Sequence, residues 1–168
     1  MSTCAFDLVG PYAYDLSVQV LWVDVIADVQ EPTPEELTTG IDLQEIYDLT
    51  DIIGWEVTTE ILKDGVWGPF EEQRLGRQSI QEAALMFAAD RSGADVRILL
   101  QRGETGNIVI LPSGPFLDHP TAPMNVYPVR VAQITQLQRL RTGGGSLLRA
   151  DFAITARVGE NVFVLEGS

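Results

Sequence analysis

Apolar and polar positions alternate along much of this chain with the period of two that marks β-structure. Ser17–Val29 (SVQVLWVDVIADV) is valine-rich and apolar on both alternating faces except at Asp24 and Asp28, which predicts a strand covered on both sides. Glu31–Gly40 follows with two prolines, three glutamates and a glycine, and reads as a loop. Trp55, Val57, Thr59 and Ile61 alternate with Glu56, Thr58 and Glu60 in an amphipathic strand. Lys63-Asp64-Gly65 then supplies turn residues for a hairpin that carries Trp67 and Phe70 on its return arm.

Ser79–Asp90 gives two answers. Ser79 with Glu82 forms a capping-box pattern, and Ile80, Ala83, Ala84 and Phe87 keep helical spacing, so local propensity favours a helix. Further on, Ile108–Leu111 is a short apolar strand stopped by Pro112-Ser113-Gly114-Pro115. Two long strands, Met124–Leu137 and Leu147–Val158, are joined by Arg141–Ser146. In the second, Leu148, Ala150, Phe152, Ile154, Ala156 and Val158 share one face, opposite Arg149, Asp151, Thr155 and Arg157. The first breaks parity at Ile134 and predicts a bulge or burial on both sides. Asn161–Leu165 adds an edge strand.

At 168 residues and 45% hydrophobic composition the chain suits one domain spanning 1–168. Its longest apolar run, Ala83–Ala89, is far short of the roughly 20 residues that cross a bilayer, and the N-terminus lacks the pattern of an export signal, so no membrane partner is expected. The single Cys4 cannot form an internal disulfide, and cytosolic synthesis is the simplest reading. Net charge is −13 and uneven: residues 1–72 hold 16 acids against Lys63 alone, whereas residues 73–168 hold 8 acids against 10 arginines. An acidic surface repels DNA, which excludes phosphate-backbone binding by the first part but suits a channel through which DNA slides.

Candidate chemistry is sparse. His119 lies between two prolines without a nucleophile elbow, and neither it nor Cys4 has partners at metal-ligand or catalytic spacing. The carboxylate pairs Asp48 with Asp51, Glu35 with Glu36 and Glu71 with Glu72 could serve glycoside hydrolysis, but among 24 acids such pairs arise by coincidence and read better as solvated faces or ion pairs. Asp42, Asp48 and Asp51 lack a calcium-loop spacing, and Gly103–Gly106 and Gly143–Gly145 read as turns. No catalytic residue, cofactor or metal is expected. Trp22, Trp55, Phe87 and Phe152 suit a core, whereas Trp67 and Phe70, flanked by glycine and proline on an arm, suit a subunit interface.

Three segments, Ala84–Leu111 (ALMFAADRSGADVRILLQRGETGNIVIL), Asn125–Gln136 (NVYPVRVAQITQ) and Asp151–Val158 (DFAITARV), together resemble the major tail tube proteins of long-tailed, siphovirus-type bacteriophages. The resemblance covers most of the chain after residue 50 and rests on the pattern and order of elements. It implies a mainly β fold, a β-sandwich or flattened barrel with one short flanking helix at about 94–101 and an extended hairpin or loop. It also turns 79–90 into a strand entering the Asp90–Gly93 loop. Six copies would form a ring, rings would stack around a tape-measure protein, and tail terminator and tail-tip proteins would close the tube. DNA would pass through the lumen without specific binding, and the protein would reside in the virion tail. By the same analogy the Trp55–Phe70 arm, with Trp55, Lys63, Trp67 and Phe70, and the Glu31–Gly40 loop, with Glu35 and Glu36, make contacts between subunits. The first 50 residues carry no family motif. Competing readings are a monomeric β-barrel or sandwich that binds a small ligand, a secretion-system tube of the same fold and, last, a carboxylate-pair hydrolase.

Overall fold

The computed structural model describes residues 18–47, 49–63, 73–88, 96–116, 121–137 and 147–164. Cys4, Asp48, the Asp64-Gly65 turn, Trp67, Phe70, Glu71, Glu72, the Asp90–Gly93 loop, His119 and the Arg141–Ser146 connection lie outside them. In chain order the elements are β1 (Gln19–Val23), α1 (Pro34–Thr38), β2 (Ile41–Asp42), α2 (Leu43–Tyr47), β3 (Leu49–Gly54), β4 (Val57–Lys63), β5 (Gln73–Ile80) and β6 (Ala83–Ala88). They continue with α3 (Val96–Leu99), β7 (Thr105–Leu111), β8 (Met124–Leu137), β9 (Leu147–Ile154) and β10 (Gly159–Val162).

Eight of these strands form one antiparallel sheet in the order β2-β1-β7-β8-β9-β6-β3, with β10 on the free stretch of β8. Trp22 of β1 and Phe87 of β6, from opposite ends of that order, share one buried cluster with Ile108, Tyr127, Val129, Leu148 and Phe152. The end strands β2 and β3 are joined through the five-residue α2, too short to span a flat sheet of seven strands spaced about 4.8 Å apart, so the sheet curls around its core as a flattened barrel. Leu43 of α2 and Val96 of α3 plug the same core. A second, smaller core sits on the opposite face of β1, β7 and β8, where Leu21, Val23, Val109 and Val126 pack under Leu37 of α1. This double burial is the physical content of the two-sided apolar pattern in Ser17–Val29.

Tertiary pairing overrides the helical propensity of Ala83–Ala88. β6 is paired on both edges, with β3 and with β9, and all but its last residue are buried. The capping-box residues have other partners: the Ser79 carbonyl accepts from Thr58 Oγ1 at 3.0 Å, and Glu82 binds Arg149 at 2.6 Å. The predicted irregularity of β8 is a register shift against β9 between Val131 and Gln133.

Several expected boundaries are corrected. Glu31–Gly40 is not all loop, because Pro34 stands in the first turn of α1 and Thr33 caps it reciprocally with Glu36. Three short helices are described where one was expected, with α2 started by Asp42, whose Oδ1 accepts from Gln44 N and Glu45 N. α3 ends at Leu99, short of the expected 101, and is followed by Gly103, whose N–H turns to the Val131 carbonyl at 2.9 Å. β1 stops at Val23, after which Asp24 accepts the Trp22 indole N–H and Asp28 caps a turn onto Gln30 N. β9 stops at Ile154, so Ala156 and Val158 leave the strand face, and the last strand is Gly159–Val162 instead of Asn161–Leu165.

Two glycines are sterically required. A Cβ on Gly106 would lie 2.4 Å from Trp22 Cζ2, so β7 and the indole can approach only with hydrogen at this position. Gly54 has φ +79° and a Cβ there would lie 2.1 Å from the Glu82 carbonyl oxygen. Gly54→Ala combines left-handed strain with that clash, and we expect a loss of about 2 kcal/mol or more, read as a lower urea midpoint at unchanged m-value.

Candidate functional site

The β4–β5 hairpin stands apart from the main sheet as a two-stranded unit. Val57 pairs with Ile80, Thr59 with Gln78, Ile61 with Leu75 and Lys63 with Gln73, with a register shift between Thr59 and Ile61. Period-two parity places these pairs on one face, so the stripe is apolar at the root and again at Ile61 and Leu75. Far along the arm that stripe is uncovered: Leu75 is 82% exposed, Ile61 58% and Leu62, on the other face, 45%. An isolated two-stranded ribbon is marginal in water. Burying side chains of this size against another surface is worth roughly 1.5–3 kcal/mol each.

What aims the arm is the corner between β3 and β4. Gly54 and Trp55 both have left-handed backbone, φ 79° and 70°. For a residue as bulky as tryptophan this costs of the order of 1–3 kcal/mol unless its surroundings determine it. Here they do. Trp55 N donates to the Glu82 carbonyl at 2.8 Å, its indole Nε1 donates to the Ala84 carbonyl at 2.9 Å, and its own carbonyl accepts from the Tyr127 hydroxyl at 3.1 Å. The ring lies edge-on to Tyr127 at 4.9 Å and tilted against Phe152 at 5.6 Å. The Tyr127 phenol is pushed up to about 12, first by burial and then by the charge of Glu160.

Of the six sequence-level candidates for subunit contacts, Trp55 is 4% exposed and packs in the protomer core, so it acts on the arm from behind. Lys63 is exposed at the end of β4. Trp67 and Phe70 lie outside the described residues. Glu36 is engaged within the chain, where its carboxylate oxygens accept from Thr33 N and Ala27 N at 3.0 Å each. Glu35 is exposed beside it on the first turn of α1. The arm and α1 are separate places in the fold, and no described contact brings Glu35 to Lys63. Sequence reasoning missed Leu75 and Leu62, although Leu75 is a lone large apolar residue within Gln73–Gln78 (QRLGRQ), which is itself a signal.

Away from the arm Val25, Ile46, Ile98 and Phe163 are also exposed, one on each of four separate segments, while the outer face around β9 is polar. Arg149 on β9 binds Glu82 at 2.6 Å and Asp151 at 3.0 Å, and hydrogen bonds to Asp151 and then Glu82 hold it charged beyond the usual range. Gln133 of β8 joins Asp151 at 3.1 Å, tying the strands on their outer face. Among the described residues no three His, Cys, Asp or Glu side chains gather to hold a metal ion, and no helix is long and apolar enough to cross a membrane.

Comparison with known proteins agrees with this architecture. The model of a family described as phage tail tube protein matches residues 14–167. No curated protein matches the sequence. Among solved structures, a chain of the sheath–tube complex of an extracellular contractile injection system (PVC) in the extended state superposes with a TM-score of 0.57 at 10% identity, covering 94% of this chain and 97% of that one. A chain of the sheath/tube terminator of that system gives 0.54 at 8% identity over 85% and 91%. The tube-terminating cap of the anti-feeding prophage gives 0.53 at 8% identity over 87% of each chain.

The corner predicts its own perturbation. Tyr127→Phe leaves the buried Trp55 carbonyl without its donor and should cost about 1–2 kcal/mol in urea unfolding. The raised phenol pKa adds a pH signature. The native state holds this proton more tightly than the unfolded chain, so the stabilisation is complete below pH 10 and is lost as pH rises towards 12. Stability measured across that window should fall more steeply in the parent than in Tyr127→Phe.

Proposed function

The chain belongs to the phage tail tube protein family, so its role is structural, and on that premise we propose that six copies close into a ring and that rings stack into the conduit of a phage tail. The observation that carries the assembly reading is the arm: a strained, buried corner holds outward a hairpin whose Ile61, Leu62 and Leu75 face solvent. Evolving a rigid mount for an apolar stripe makes physical sense when a neighbouring subunit covers it. A heterologous contact of this kind repeats from copy to copy, closing rings or extending stacks.

Charge distribution supports the same reading. The acid-rich first part and the arginine-bearing second part offer unlike patches that can meet across such a contact, and surplus acid facing a lumen lets DNA move without adhering. Of the sequence-level contact residues, Lys63 and Glu35 are exposed and available, while Trp67 and Phe70 extend the arm in sequence. In the assembled tail the tube would enclose a tape-measure protein and be closed by terminator and tail-tip proteins. The likeness to chains of a sheath/tube terminator and a tube-terminating cap supports the terminator among these partners. A tube inside a contractile sheath is the second reading, favoured by the sheath–tube neighbour, and co-purification of a sheath protein with assembled tails would select it.

Electron microscopy of the purified protein over a range of concentrations, with light scattering for mass, tests the proposal. Rings or tubes with six subunits around the axis are expected, and a monomer persisting at the highest concentration would refute it. Leu75→Asp should abolish assembly while changing monomer stability by less than about 0.5 kcal/mol, since the side chain is exposed.

A further inference from the structure

The place where the arm leaves the body contains two strand edges that face each other and have no partner among the described residues. β6 accompanies β9 only as far as the Ala84–Asp151 pair, whereas β8 follows β9 to Ile154. Beyond Asp151, therefore, one side of β9 has no described partner strand. Thr155 N donates to the Pro128 carbonyl at 3.0 Å, which sets the alternation: residues 153 and 155 face β8, and the backbone groups of Phe152 and Ile154 face the open side. Across that side runs the root of β5, whose only described partner is β4.

Between the two edges lie adjoining clefts of about 300 and 470 Å³. Ile80, Ala83, Phe152 and Ile154 give the clefts apolar walls. Arg157 stands at the mouth, and Arg130, exposed on β8, pairs directly with Ala153 of β9. Neither arginine has a hydrogen-bond or ion-pair partner among the described residues. β4, by contrast, carries Glu60 and follows Glu56, both exposed, and its outer edge likewise has no partner among the described residues.

We infer that this slot receives the free β4 edge of a second copy's arm, which adds as a strand to the open side of β9 and joins the hairpin of one copy to the body of the next in a continuous sheet. Strand addition supplies main-chain hydrogen bonds, and the pockets on either side select the side chains. An incoming β4 would bring Val57, Thr59 and Ile61 to apolar walls and Glu56 and Glu60 to Arg130 and Arg157. Each copy offers one arm and one slot, so the contact is head-to-tail and propagates. The inference rests on the tube reading, of which it names the receiving surface.

A mixed cross-linking experiment separates the two. In a Cys4→Ser background, one protein carries Glu60→Cys and another Arg157→Cys; they are mixed, allowed to assemble, oxidised and viewed by electron microscopy. Tubes together with a disulfide-linked heterodimer that predominates over both homodimers are the expected result. Tubes without that heterodimer, or with homodimers predominating, overturn the slot and leave the tube reading intact. Monomers at every concentration overturn both. As a second probe, Ile154→Pro removes an N–H that faces the slot and not β8, so the monomer should keep its circular dichroism while assembly is lost. A folded Ile154→Pro protein that assembles like its parent overturns the inference.

Discussion

Trp55 is the residue on which the arrangement of body and arm depends. Its backbone is left-handed, a conformation that tryptophan does not choose on its own, and three hydrogen bonds and two aromatic contacts hold it there. Each of those contacts comes from the body: the Glu82 and Ala84 carbonyls at the start of β6, Tyr127 from β8 and Phe152 from β9. The direction of the arm is thereby set by the core, and a change in core packing is transmitted to the arm without touching it. Rigid mounting matters for assembly because an ordered arm loses less entropy when it docks than a flexible one would.

The body is built to tolerate no looseness near that corner. β1 and β7 are clamped between two cores, one inside the curled sheet and one beneath α1, so neither strand has a solvent face along most of its length. Polar satisfaction is moved to the outer surface of β9 and its neighbours, where Arg149, Asp151, Glu82 and Gln133 lace the strands together. Exposed ion pairs of this kind add little stability. Their use is to give those strands a hydrophilic outer face.

Much of the fold was legible in the amino-acid order, and the reasons are specific. β9 announced itself by Leu148, Ala150 and Phe152 at period two, β8 by its broken parity at Ile134, and β1 by apolar residues on both faces. The β6 segment was not legible from propensity, since alanine, leucine and methionine favour helix; family pattern, not local chemistry, pointed to the strand. Two prolines hid α1 even though Thr33-Pro34-Glu35-Glu36 spells a capped helix start, in which a proline in the first turn costs nothing. Trp55 was read onto the strand face by parity because a left-handed turn at a non-glycine residue leaves no trace in the pattern. The uncovered Leu62 and Leu75 were overlooked for a related reason. Periodicity tells which residues share a face, but not whether that face has anything to pack against.

The pairing of β1 with β7, residues 19–23 against 107–111, has a kinetic consequence. Strands so distant in sequence meet only after most of the chain has left the ribosome, and sheets dominated by such pairings close in milliseconds to seconds. The β4–β5 hairpin, whose strands are neighbours in sequence, can form on the microsecond scale, although its corner cannot lock until β6, β8 and β9 are in place. A newly made subunit therefore passes through an interval in which an apolar arm exists without the body that aims it. The acidic surplus of the first 72 residues, synthesised before the rest, keeps such intermediates mutually repulsive during that interval, so that subunits reach one another folded.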